Sequence, residues 1–103
     1  MTEFTFFLNP VAETPPKKPT VTVQSVTAST ILLTWSVSTG SVVDTYDIEW
    51  RSGGEVGTAT ISGETAMYTI TDLDSATSYA IVVTARNAAG SAQSNTVLAV
   101  TRM

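Results

Sequence analysis

The sequence predicts an all-β chain, with seven short strands in two sheets packed face to face as a sandwich. Three observations carry this. From Val21 onward apolar and polar residues alternate with period two. The alternating runs are cut by Gly, Ser, Asn and Asp at roughly 8–12-residue spacing, which suits strands that turn back at each end of a sandwich. No stretch sustains apolar residues at the spacing that would bury one face of a helix.

The first strand is TVTVQSV, with Val21 and Val23 on the buried face and Thr22 and Gln24 on the other. ILLTWSV follows, placing Ile31, Leu33 and Trp35 inward and Leu32 and Thr34 outward. After the turn STGS, Ser38 to Ser41, the strand DTYDIEW alternates Tyr46, Ile48 and Trp50 against Thr45, Asp47 and Glu49. Ser52 to Gly54 supply a turn that tolerates positive φ. A weaker strand is expected around TATI, ending at Ile61 and the Ser62-Gly63 turn. MYTITDL puts Tyr68 and Ile70 inward, with Leu73 following. The sixth strand inserts Tyr79, Ile81, Val83 and Ala85, and the seventh, TVLAVTR, inserts Val97 and Ala99.

With 103 residues the chain fits one domain, since two would each be too small to bury a core unaided. It divides into an N-terminal arm, residues 1–18, and a sandwich, residues 19–103. The arm begins apolar, with Phe4, Phe6 and Leu8 on one side if extended, and becomes Pro-rich. Glu3 stands where a targeting segment would be basic, and the run Phe4 to Leu8 is too short for a signal core. No apolar stretch approaches the roughly 20 residues that span a bilayer, so membrane insertion by this segment is not expected.

The absence of cysteine removes disulfides and thiolate metal sites. The absence of histidine removes the commonest general base and zinc ligand. A net charge of −4 with only five Lys and Arg, clustered nowhere beyond Lys17-Lys18, argues against a nucleic-acid partner. Serine triplets form no nucleophile elbow, and no Gly-rich loop opens a helix to hold phosphate. No catalytic, cofactor or metal site is expected.

Between about Pro19 and Arg102 the sequence resembles a fibronectin type III domain, of immunoglobulin-like fold. The resemblance rests on Trp35 in the second strand, the alternation Tyr46, Ile48, Trp50, and the spacing from Leu73 to Thr77-Ser78-Tyr79. It implies that Tyr79 forms a tyrosine corner, its ring buried and its hydroxyl bonded to the backbone a few residues upstream. It also marks ARNAAGSAQSN as the loop and lead-in to the last strand. The sequence departs from the pattern in three ways: Ser75 stands where the family often has Pro and Ala76 where it has Gly, so the corner is less prepaid in conformational entropy, and Trp35 is followed by SVSTG without the usual Pro.

Other chemistry yields to structural readings. Tyr79 has no His, Cys or Lys nearby in sequence to make it a catalytic acid. Asp72 and Asp74 flank Leu73 without calcium-loop spacing and read as solvated turn acids. Tyr46 and Trp50 share the inward alternation with Ile48, so they read as core rather than a sugar-stacking platform. Arg-Gly-Asp is missing, the acidic tripeptide LDS begins at a Leu73 expected to be buried, and no Asn lies in a glycosylation triplet.

Two surfaces remain as candidates for protein binding. One is the outer face carrying Ala80, Val82, Leu98 and Val100, beside Asp47 and Glu49. The other is a loop end with Val42, Val43, Asn87 and Gly90. The loops lack the large aromatic and Arg anchors that dominate interfaces, which favours the sheet face. The chain is expected to be mostly monomeric; the arm is an appendage, a strand of a preceding unit, a cover for that face, or, as the lesser alternative, a strand exchanged between copies in a dimer. The resemblance implies a non-catalytic interaction and spacer module of a larger extracellular or cell-surface protein, in adhesion or receptor architecture. The alternative is an accessory domain of a secreted microbial polysaccharide-degrading enzyme or of a virion protein.

Overall fold

Residues 14–38 and 40–103 are described by a computed structural model; Phe4, Phe6 and Leu8 lie outside the described residues. Eight strands follow one another: β1 (Thr20–Val26), β2 (Ile31–Ser36), β3 (Thr45–Ser52), β4 (Glu55–Ser62), β5 (Met67–Ile70), β6 (Ser78–Asn87), β7 (Gly90–Gln93) and β8 (Val97–Val100). Pairing is antiparallel throughout. One sheet has the order β1-β2-β5; the other runs β4-β3-β6-β7, with β8 also paired to β6.

Alternation builds the core as expected. Val21, Ile31, Leu33, Trp35 and Ile70 from the first sheet meet Tyr46, Ile48, Tyr79, Ile81, Val83, Ala85 and Ala99 from the second. Trp35 sets its edge to the Tyr46 ring, with centroids 5.2 Å apart at 61°, a geometry worth about 0.5–1.5 kcal/mol beyond area burial. Trp50 departs from the expected full burial. It is half-buried at the core margin, stacked on Tyr68 at 6.5 Å, and its indole lies against Gly57, where any Cβ would run into the ring.

The strand count is eight rather than seven because the last strand is broken in two. β7 pairs Ala92 with Ala85, and β8 pairs Val97 with Ile81 and Ala99 with Tyr79. Residue parity would send either Ala92 or the pair Val97 and Ala99 outward unless the register slipped by one residue, and the break from Ser94 to Thr96 supplies that slip. Ser94 is the pivot. Its N–H donates to the Val83 carbonyl at 2.7 Å, and its hydroxyl accepts from the Val83 N–H at 2.9 Å. β1 is bulged too: register shifts between Val23 and Ser25, so Val26 packs on the core along with Val21 and Val23. The weaker strand expected around TATI extends the length of β4.

The end of the arm is seated on the sandwich. Pro16 and Pro19 are buried, the Lys17 N–H donates to Ser41 Oγ at 3.1 Å, and Asn87 Nδ2 donates to the Thr14 carbonyl at 2.8 Å.

Candidate functional site: an outer sheet face above a latched corner

At the β5–β6 connection the chain has to reverse tightly beneath the sandwich. Tyr79 is 5% exposed, and its Oη accepts a hydrogen bond from the Asp74 N–H at 2.9 Å. The phenol is therefore a structural latch. Its backbone partner is a donor, so the hydroxyl serves as acceptor. Thr101, 2% exposed, completes the latch from the other side of the chain. Its Oγ1 accepts from the Thr77 N–H at 2.9 Å and donates to the Asp74 carbonyl at 2.5 Å. Further backbone bonds join Ala76 to Arg102 and Arg102 to Thr27, each at 3.0 Å. Thr101 shares the inward parity of Val97 and Ala99 in TVLAVTR, but nothing in the sequence names Asp74 and Thr77 as its partners. Leu73 packs half-buried on the core.

The turn is made at a conformational cost. Ala76 has φ 51° and Asp72 φ 60°, both in the left-handed region that favours glycine. Ala76 is the position where the sequence departs from the expected Gly. Asp72 and Asp74 are exposed and line a recess of about 140 Å³ with Trp50, Leu73 and Tyr79. Among the described residues, no group of three or more acids, His or Cys is placed to hold a metal ion.

The second sheet turns its other side to solvent. Cross-strand register places Val56, Arg51, Ala80 and Leu98 in one row, and Thr58, Glu49 and Val82 in the next. Val100 lies opposite Ser78 at the end of the same face. Leu98 is 72% exposed, Val100 59% and Val56 57%. All four predicted face residues, Ala80, Val82, Leu98 and Val100, therefore share this side. Val56 belongs with them and was missed because β4 reads as a weak strand. A recess of about 220 Å³ is lined by Glu49, Arg51, Ala80, Val82, Gln93 and Thr96.

Charges on this face are paired. Arg51 donates to Glu49 Oε2 from Nε at 2.8 Å, and Arg86 pairs with Asp47 one strand across. Asp47 also accepts from Thr60 Oγ1 at 2.8 Å. Partial desolvation works to raise the Asp47 carboxyl, but the Arg86 and Thr60 hydrogen bonds and the Arg86 charge outweigh it, holding Asp47 below its usual value. The face thus offers apolar groups at the β8 end and a polar, charge-paired half toward the loops.

The loop-end candidates have structural work. Asn87 Nδ2 donates to the Val42 and Thr14 carbonyls, and its Oδ1 accepts from Ala89 and Gly90. Val43 packs on the core, Gly90 lies beneath Pro15, and Val42 alone of these is a large exposed apolar group, at 52%.

A family model described as the fibronectin type III domain matches residues 14–101. The chain belongs to the fibronectin type III family. The matched span takes in the two sheets, the latched corner and the seated end of the arm. Among solved structures, the FN3 domain of human collagen XX is 28% identical with a TM-score of 0.76, the match covering 92% of this chain and 100% of that one. A structure titled as a myokine is 25% identical with a TM-score of 0.79, over 85% of this chain and 99% of that one. The FN1–FN3 domains of chicken CNTN1 are 27% identical with a TM-score of 0.76; 88% of this chain is covered but only 33% of theirs, so it spans about a third of that structure. No curated protein sequence matches the chain. Fibronectin type III domains are in general non-catalytic binding or spacer modules of larger proteins. No described helix is long and apolar enough to cross a membrane.

Proposed function

We propose that this domain is a non-catalytic protein-interaction and spacer module of a larger extracellular or cell-surface protein, acting in adhesion or receptor architecture. The observation that carries it is the outer face of the five-stranded sheet. Leu98 and Val100 stand exposed there beside Ala80 and Val82 and bordering ion pairs, and the opposite face of the same strands is consumed by the core. An apolar patch beside charge-paired polar groups has the mixed composition of a protein interface. Location outside the cell is supported by the kinds of protein that carry similar domains, a collagen among them. The partner is a neighbouring domain or a separate protein, rather than nucleic acid.

Two points of organisation belong to the same reading. The unit is a sandwich, residues 19–103, preceded by the arm, residues 1–18, and the arm is able to lend a strand to another copy in an exchanged dimer. The test is to display the chain against a panel of purified ectodomains beside two variants. Val82→Lys with Leu98→Glu alters the sheet face, and Val42→Glu alters the loop end. A ligand whose affinity falls about fivefold or more only in the folded face variant supports the reading. Binding that survives it and falls with Val42→Glu moves the site to the loops.

A further inference from the structure

A sheet border exposes unpaired N–H and C=O groups, and folded proteins blunt such borders with short strands, bulges, Lys or Pro. Among the described residues, three of the four borders here are blunted. On β1, the Asn95 side chain takes both backbone groups of Val21: Oδ1 accepts from the N–H at 3.0 Å and Nδ2 donates to the carbonyl at 3.3 Å. β5, β7 and β8 are each only four residues long, and the register slip separates β7 from β8 along the border they share.

β4 is different. It is eight residues long and pairs with β3 in unbroken register from Glu55 opposite Ser52 to Ser62 opposite Thr45. Its sequence EVGTATIS has no Lys, Arg or Pro, and its one charge sits on the first residue. Among the described residues, no backbone bond beyond the β3 ladder is made by any residue from Val56 to Ile61.

We propose that this border pairs with a second copy of the chain, β4 against β4 and antiparallel about a twofold axis, joining two five-stranded sheets into one continuous sheet. Between two copies the charge pattern selects the direction, and the strand's own register supplies the match. A parallel neighbour would lay Glu55 beside Glu55, whereas antiparallel pairing sends the two carboxylates to opposite ends. The twofold must keep inner side with inner side, and Val56, Thr58, Thr60 and Ser62 all face out. A register centred on Ala59 meets that condition along the whole strand. It sets Thr58 of each copy opposite Thr60 of the other, a favourable cross-strand pair, and Val56 opposite Ser62. Each copy has one such border, so the assembly closes at two.

One strand pair buries less than the roughly 1,200 Å² of a standard interface, so the dimer is weak and concentration-dependent. The test is sedimentation of the full chain from micromolar to millimolar concentration, with folding of each variant checked by circular dichroism. The wild type should pass from monomer to dimer. Thr58→Lys and Thr58→Glu, at an exposed outward position, should each weaken the dimer by about threefold to fivefold by setting like charges at diagonal positions across the two strands. An equimolar mixture of the two should associate again, a rescue that mere structural damage could not produce. The chain has no cysteine, so Ala59→Cys should crosslink readily with a short bifunctional thiol reagent, whereas Val100→Cys should not. A wild type that stays monomeric overturns the proposal, as does a mixture that fails to associate. Dimers abolished by Phe4→Glu with Phe6→Glu but indifferent to Thr58→Lys would assign the contact to arm exchange instead, and equally overturn it.

Discussion

The two faces of the five-stranded sheet are written in the same strands, one residue apart, and do opposite work. Along β6 the residues Tyr79, Ile81, Val83 and Ala85 are all buried, whereas Ala80, Val82 and Thr84 between them are half-exposed. The inner set is held by packing against the three-stranded sheet, where a lost methylene is felt at once. The outer set is held only by its neighbours on the same surface, through Glu49 with Arg51 and Asp47 with Arg86. Stability is therefore concentrated on one side of each strand, which leaves the other side free to vary in chemistry without loss of fold.

Substitutions should rank by the side on which they fall. Trp35→Ala, between the sheets, should cost about 3–5 kcal/mol by the cavity it leaves, read from chemical denaturation. Tyr79→Phe keeps the ring and removes the acceptor of the Asp74 N–H, so the fold should persist with a loss of about 1–3 kcal/mol. An unchanged midpoint would show that the latch rests on Thr101 alone. Ala76→Gly should act in the opposite direction. Relief of a left-handed Ala, worth about 1–2 kcal/mol, exceeds the added chain entropy of Gly, about 0.5–1 kcal/mol, so a small rise in melting temperature is expected.

The outer face should respond least, and through pH. The folded Asp47 carboxyl is held below its unfolded value, so its contribution is present above the unfolded value and is lost as pH falls through the folded one. Asp47→Asn should remove that contribution at neutral pH, a loss of up to about 1 kcal/mol for a pair at the surface, and should flatten the acid limb of the stability profile below about pH 4, where the two proteins converge. A profile parallel to wild type would remove the Arg86 pair from the stability of this face.

Much of this division was legible in the sequence. Parity along DTYDIEW and SYAIVVTA assigns Tyr46, Ile48, Ile81 and Val83 to the core, and a lone Tyr shortly after a Leu in a turn locates the corner. The missing Gly at residue 76 was visible as a change in conformational entropy; that Ala76 adopts a left-handed φ was not. What could not be read depends on partners distant in the chain. The slip between β7 and β8 exists because Ser94 binds Val83, and β1 is closed because Asn95 reaches Val21; neither serine nor asparagine signals its partner. The Asp47–Arg86 pair joins residues 39 apart. Thr101 looks like any strand-end threonine until the chain folds it under Asp74. The outer face was found by parity, yet Val56 escaped because Gly57 interrupts the run, and the strand was expected only around TATI.

The most direct test of one strand with two opposed faces is a pair of neighbouring substitutions, Val82→Lys and Val83→Lys, compared by urea denaturation. On the outer side a lysine meets Glu49 directly across the strand, so Val82→Lys should stay within about 0.5 kcal/mol of wild type. Val83 is 0% exposed, so Val83→Lys buries an unpaired ammonium and should cost several kcal/mol, on the order of the domain's whole stability. Comparable losses from the two variants would contradict the account.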